Sequence, residues 1–236
     1  MNVESRESEY SDVRSLRLFS DMKEENFIAL MQAAYVQFFP PQVELISEGD
    51  APDFLQVLLS GGVELFASWG ELTTTMAVVR PVSTFILAAS IKDQPYLMSA
   101  RSIEKSRVAL IPSRDVRTIF GADAAFAQAI VTELAQCYRN VVKNTKDLKL
   151  RTSRERLANY LLRNLAKAGH PNTFELPIEK RRLASLLGMT PENLSRSFKM
   201  LGEHGVHVSG NSIHIEDASK LVAFANPSPL IDDYSS

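Results

Sequence analysis

The chain has 236 residues, 45% of them hydrophobic and 23% charged, close to the averages for soluble globular proteins; these values exclude disordered, collagenous and disulfide-scaffold chains and leave length for one large domain or two modest ones. A single cysteine, Cys137, permits neither an internal disulfide nor, alone, a multi-cysteine zinc or iron–sulfur site. The net charge of −2, from 26 basic and 28 acidic side chains, is small but uneven along the chain.

Glu4, Glu7, Glu9, Asp12, Asp21, Glu24, Glu25, Glu44, Glu48 and Asp50 come early, whereas Lys143, Lys146, Lys149, Arg151, Arg154, Arg156, Lys180, Arg181, Arg182, Arg196 and Lys199 come late. Such asymmetry is either a set of solvated helix faces or a basic working end on an acidic body, for which nucleic acid is the natural partner. No apolar run approaches the roughly 18 residues that span a membrane, and Met1 to Tyr10 is polar and acidic rather than a secretory leader. The expectation is a cytoplasmic protein with no membrane partner.

In chain order, residues 12–36 read as short amphipathic helices, with Leu16, Leu18, Phe19, Phe27, Leu30, Met31 and Ala34 at helical spacing, ended by Pro40-Pro41. From 42 to 112, short runs of Val, Leu, Phe and Thr are separated by turn signals at Glu48-Gly49-Asp50, Ser60-Gly61-Gly62, Trp69-Gly70 and Pro81. That is the pattern of a small antiparallel sandwich or barrel, so residues 1–120 read as one domain.

Residues 121–150 carry one long helix, since Asp123 to Leu150 contains neither Gly nor Pro. Ala127, Ile130, Leu134, Cys137, Val141, Asn144 and Leu148 stand alternately three and four residues apart, the seam of a coiled coil with Asn144 as the polar member that fixes register. A helix packed on its own domain buries a wider face, so the narrow stripe predicts a homodimer.

Residues 151–236 read as a second domain. A helix over Arg154–Ala168, with Leu157, Tyr160, Leu161, Leu162 and Leu165 largely inward, stops at Gly169, His170 and Pro171. A short strand around Phe174–Leu176, two helices broken at Gly188 and a hairpin follow, in which His207-Val208 and Ile213-His214-Ile215 flank Gly210-Asn211.

The run Lys180–Met200, KRRLASLLGMTPENLSRSFKM, carries the function. A helix-turn-helix needs a small residue where its helices touch, a glycine for a left-handed turn and an apolar residue facing back; Ala184, Gly188 and Leu194 meet those needs. Thr190 is placed as N-cap and Pro191 at the first helical position, where its missing N–H costs nothing. With Leu194, Phe198 and Leu201 inward, Glu192, Asn193, Ser195, Arg196 and Lys199 face outward. A Glu can accept from cytosine N4 and an Arg can donate two bonds to a guanine edge, so the outward set suits the major groove of double-stranded DNA. Ser195 and Lys199 suit phosphate or a base edge.

On these residues the chain resembles the Crp/Fnr transcription regulators over nearly its whole length. Val43–Phe66, VELISEGDAPDFLQVLLSGGVELF, looks like that family's β-roll signature, and Glu192, Ser195 and Arg196 in ENLSR match the Fnr-like recognition pattern. The resemblance implies an α+β fold: an N-terminal antiparallel, jelly-roll-like β-roll, a long dimerisation helix and a C-terminal winged helix-turn-helix. It further implies a homodimer on a palindromic operator with TTGAY-like half-sites, read by Glu192, Arg196 and Ser195, and RNA polymerase as a further partner. Pro191 and Ser195 stand where the cyclic AMP receptor branch usually has Arg and Gly, which favours the Fnr-type operator.

The resemblance also places an effector pocket at Phe85, Leu87, Ala88, Tyr96, Leu97 and Met98. Cyclic-nucleotide binders of this kind use a Gly-Glu pair for the ribose and an Arg-Ser pair for the phosphate; both anchors are replaced here, and Arg101 is a poor substitute. A phosphate buried unpaired among apolar groups is prohibitively costly, so cyclic nucleotides are not expected as ligands. An iron–sulfur cluster is not expected with Cys137 alone. Haem would find no axial histidine in the sensor half, because His170, His204, His207 and His214 all come later; Met76, Met98, Tyr96 and Cys137 are the remaining axial groups. The effector stays unidentified. The other reading, a non-DNA effector-binding or enzymatic jelly-roll protein, lacks clustered His and carboxylate ligands on its strands, so no enzyme activity is expected.

Overall fold

The computed structural model describes residues 10–169 and 172–233; Glu4, Glu7, Glu9 and the helix stop at His170-Pro171 lie outside them. The chain divides into two units, Met1–Ala135 and Gln136–Ser236.

The first unit opens with helices α1 (Arg17–Ser20) and α2 (Glu24–Ala33). Ala34 turns extended, and the β-branched and aromatic run Tyr35–Phe39 continues as strand β1. The sheet therefore begins before Pro40-Pro41, where the spacing of apolar residues had suggested helix to residue 36. Strands β2 (Glu44–Ile46), β3 (Phe54–Ser60), β4 (Val63–Trp69), β5 (Leu72–Val79) and β6 (Ser83–Phe85) follow, then helix α3 (Leu87–Lys92), strands β7 (Ser99–Ser102) and β8 (Ser106–Pro112) and helix α4 (Ser113–Ala122). They make two four-stranded sheets, in the orders β1-β8-β3-β6 and β2-β7-β4-β5, with every pairing antiparallel.

Alternation along β3 explains why it is buried almost throughout. Leu58 points between the sheets, with Ile46, Val63, Leu65, Phe85, Ala100, Val108 and Leu110. Leu55, Val57 and Leu59 point the other way, to a second core with Phe19, Phe27, Leu30, Met31 and Val116 of the helices. The turn after β3 needs glycine: at Gly61, with φ +91°, a Cβ would come within 2.5 Å of the Lys105 carbonyl oxygen.

Helix α5 (Ala124–Leu150) is the long helix expected from the sequence. Just before it, the buried Asp123 carboxylate accepts from the backbone N–H of Lys23 at 2.9 Å and of Phe126 at 3.1 Å, and from Asn26 Nδ2 at 2.8 Å. These bonds, that of Asn26 foremost, hold its pKa down at about 2 against the upward pull of burial. The predicted seam needs one correction. Ile130 is fully buried in the helix-side core with Phe126, and Leu134 packs half-buried against the same core, so these two positions serve the protomer. Cys137, Val141, Asn144 and Leu148 are exposed. Spacings of three and four occur both in a coiled-coil seam and in a face packed on the helix's own domain, which is why the pattern joined them.

In the second unit the end of α5 is followed by α6 (Ser153–Ala168), β9 (Thr173–Glu175), α7 (Lys180–Leu186), α8 (Pro191–Leu201), β10 (Val206–Ser209) and β11 (Ser212–Ile215). Helix α6 starts on a capping box, the Thr152 hydroxyl accepting from the Glu155 N–H while the Glu155 carboxylate takes the Thr152 N–H, and it ends at Gly169 with φ +67°. The three strands form one antiparallel sheet, β10-β11-β9. The core of this unit includes Leu157, Leu161, Leu183, Leu194, Leu201 and Leu221 of the helices and Ile213 and Ile215 of the sheet, each at most 2% exposed. Two helices past the hairpin, α9 (Ala218–Ala225) and α10 (Pro229–Asp232), were not read from the sequence.

Candidate nucleic-acid interface

Helices α7 and α8 are joined at Gly188, whose φ of +62° is the left-handed conformation that glycine adopts without strain. Thr190 caps α8 by accepting from the Asn193 N–H at 3.2 Å, and Pro191 holds the first helical position. Leu194, Ser197, Phe198 and Leu201 are buried, and Ala184 is buried opposite them. Glu192, Ser195, Arg196 and Lys199 are exposed together on the opposite face of α8.

Intrahelical bonds hold this face in order. Ser195 Oγ donates to the Pro191 carbonyl at 3.1 Å and Arg196 Nε to the Glu192 carbonyl at 3.4 Å. The Glu192 carboxyl sits below the usual range, chiefly through its own backbone N–H, then the Thr190 hydroxyl, with the Arg196 charge adding to both. It is an anion at neutral pH and so only accepts hydrogen bonds. Lys180, Arg181, Pro191, Leu194, Ser195, Phe198 and Val208 line a concavity between the start of α7, helix α8 and the wing strand β10. Two of the late basic residues thus flank the recognition helix.

Asn193 differs from the sequence expectation. It is half-buried, with Nδ2 3.4 Å from Ser153 Oγ at the start of α6, so it braces the recognition helix more than it faces outward. Arg156, read only as part of a basic run, is buried: it donates from Nε to the Leu187 carbonyl at 2.8 Å and from Nη1 to the Arg151 carbonyl at 2.7 Å, with Nη2 3.3 Å from the Gly188 carbonyl. It ties the helix-turn-helix turn to the chain between α5 and α6. No local sequence signal announces a guanidinium that satisfies carbonyls about thirty residues away.

In the first unit the six candidate pocket residues do not converge. Phe85 and Tyr96 are buried between the two sheets and Met98 packs beside them, whereas Leu87 enters the helix-side core and Ala88 and Leu97 face solvent. The Tyr96 hydroxyl donates to the Phe54 carbonyl at 3.1 Å, and burial pushes its pKa up. Arg101 is engaged: its Nε lies 2.8 Å from the buried Glu64 carboxylate, which also takes the Thr75 hydroxyl at 2.6 Å, and its guanidinium covers the Phe66 ring. Among the described residues, no three His, Cys, Asp or Glu side chains gather as a metal-holding group, and no helix is long and apolar enough to cross a membrane.

Residues 36–123 match the family model of the cyclic nucleotide-binding domain and residues 155–224 that of the Crp-like helix-turn-helix domain. Over 125 residues, 52% of this chain and 57% of the relative, it is 28% identical to the probable transcriptional regulator flp of Lacticaseibacillus casei. The chain spans little more than half, or less, of the length of the curated relatives it matches. A candidate cAMP-binding regulatory protein of Silicibacter pomeroyi has a solved structure similar over 94% of this chain and all of its own, at 26% identity and a TM-score of 0.60. A candidate Crp/Fnr-family regulator of Eubacterium rectale shares the fold over 90% of this chain and 99% of its own, at 18% identity and a TM-score of 0.73. With a roll of the cyclic nucleotide-binding type followed by a Crp-like helix-turn-helix on one chain, this protein belongs to the Crp/Fnr family of transcription regulators.

Proposed function

We propose that the protein acts as a homodimer on a palindromic, Fnr-like operator, placing one α8 in the major groove of each half-site. The observation that carries this reading is the exposed face of α8, where an anionic Glu192 and Arg196 stand one turn apart on a helix whose other face is buried. Arg196 makes two bonds to a guanine edge, Glu192 accepts from cytosine N4, and Lys199, Lys180 and Arg181 meet phosphates. For the dimer, the supporting feature is the exposed stripe Tyr138, Val141, Thr145 and Leu148, spaced three, four and three along α5. RNA polymerase is the further partner implied by family resemblance.

The effector of the roll is not a cyclic nucleotide on this reading, because Arg101 already serves Glu64. Haem fits poorly as well: Met98 and Tyr96 are packed into the core between the sheets, and the first unit contains no histidine.

The test is a binding series over single-base variants of a TTGAY palindrome at fixed salt. Arg196→Ala is expected to cost about 1–3 kcal/mol and to relax preference mainly at one base pair. Lys199→Ala is expected to weaken all sequences about equally and to flatten the salt dependence. Uniform loss by Arg196→Ala with base preferences intact makes Arg196 a phosphate clamp and overturns the operator assignment.

A further inference from the structure

The segment beyond the wing returns to the base of the long helix. Asp232, in α10, takes Arg151 as a fork, Nη1 to Oδ1 at 2.8 Å and Nη2 to Oδ2 at 2.7 Å. Arg163 Nη1 adds a bond to Oδ1 at 2.7 Å and the Ser228 N–H one to Oδ2 at 2.7 Å, so both carboxylate oxygens are filled. Arg151 also binds Asp147, one turn earlier in α5, at 2.9 Å. The Arg151, Asp147 and Asp232 side chains are only 8%, 10% and 12% exposed. One residue on, the Asp233 carbonyl accepts from the ammonium of Lys143, also buried on α5. Ile231, buried, and Pro229 at the first helical position of α10 keep the hook in place.

We infer that Asp232 is a positioning residue for two-site DNA binding: it fixes the last turns of α5 against α6, and so sets the angle at which the winged-helix body leaves the long helix. The inference rests on the dimeric reading above. Three features support it. Only Arg151 and Thr152 separate α5 from α6, so this joint carries any change of angle between them. A bidentate arginine–carboxylate fork fixes direction as well as distance. A buried charge cluster is a weak device for stability alone, and its better-attested use is to specify one geometry. Arg151 and Asp232 both lie outside the segments matched by the family models.

The test uses the full chain and three DNA probes at fixed salt: a palindrome at its preferred half-site spacing, the same palindrome with one base pair added at its centre, and a single half-site. Wild type is expected to favour the correctly spaced palindrome by about a hundredfold, through linkage of the two half-sites. Asp232→Asn is expected to cut that spacing preference by about tenfold while leaving single half-site affinity within about twofold. Arg151→Lys keeps the charge but loses the fork; it is expected to fold, as checked by its melting curve, and to show the same loss of spacing preference. If both variants fold and keep the wild-type preference, or lose palindrome and half-site affinity in equal proportion, the positioning role is overturned. A wild type that binds palindrome and single half-site equally tightly overturns the dimeric reading beneath it, a result visible without either variant.

Discussion

Leu148, in the last turn of α5, lies over Gly188 in the turn between α7 and α8, so close that a Cβ at position 188 would come within 2.9 Å of Leu148 Cδ2. Gly188→Ala therefore meets two penalties, a left-handed φ and a collision. The left-handed backbone alone costs about 1–2 kcal/mol. Urea unfolding should show at least that loss, and Leu148→Ala in the same chain should return the collision part but not the backbone part. Full recovery in the double variant would remove backbone strain from the account.

The long helix predicts a contrast between two charge insertions. Ile130→Glu places a carboxylate in the helix-side core and should destabilise the first unit by several kcal/mol. Tyr138→Glu with Val141→Glu alters exposed positions, 70% and 60% accessible, and should leave melting of the protomer near wild type while converting dimer to monomer. Sedimentation at micromolar concentration decides; a dimeric Tyr138/Val141 double variant would move the interface elsewhere.

Calorimetry with cyclic AMP or cyclic GMP should show no binding in the low micromolar range, since the guanidinium of Arg101 is held by Glu64. Glu64→Gln weakens that hold, and still should not create an affinity, because Leu97 faces solvent and Tyr96 points its hydroxyl to Phe54. Low micromolar affinity in the wild type would overturn this view of the roll.

Asp123 sets an acid limit on the first unit. Its pKa is about 2 in the folded chain against an ordinary 3.8, so the stability it contributes is full above the ordinary value and is lost as pH falls from there toward 2. Denaturation of Asp123→Asn should start from lower stability at neutral pH and show a flatter decline through that window. An equal decline in both proteins would assign the acid sensitivity to other carboxylates.

Much of the second unit was legible because its signals are local. Thr190-Pro191 starts a helix, Gly188 permits a left-handed turn and Gly210-Asn211 closes a hairpin, each within a few residues of the structure it specifies. Strand β1 was not, since Tyr35–Phe39 continues an apolar pattern begun on α2 and only its pairing with β8 settles the choice. Ile130 and Val141 share one spacing and part company only through what packs against them. The partners of Arg151 and Arg156 stand 81 and 31 residues away, beyond any pattern of period two or 3.6. The six pocket positions came from a family likeness, and the likeness could not say which way Leu87, Ala88 and Leu97 point.

Along the second half of α5, the exposed Tyr138, Val141 and Leu148 and the buried Lys143 and Asp147 occupy different sides of one helix. Their relation is one of phase. One residue inserted between Val141 and Lys143 would rotate everything after it by about 100°, turning Asp147, Arg151 and the C-terminal hook as one body relative to Tyr138 and Val141. Seven inserted residues come within about 20° of two full turns, so the helix should tolerate a heptad's lengthening far better than a single residue's.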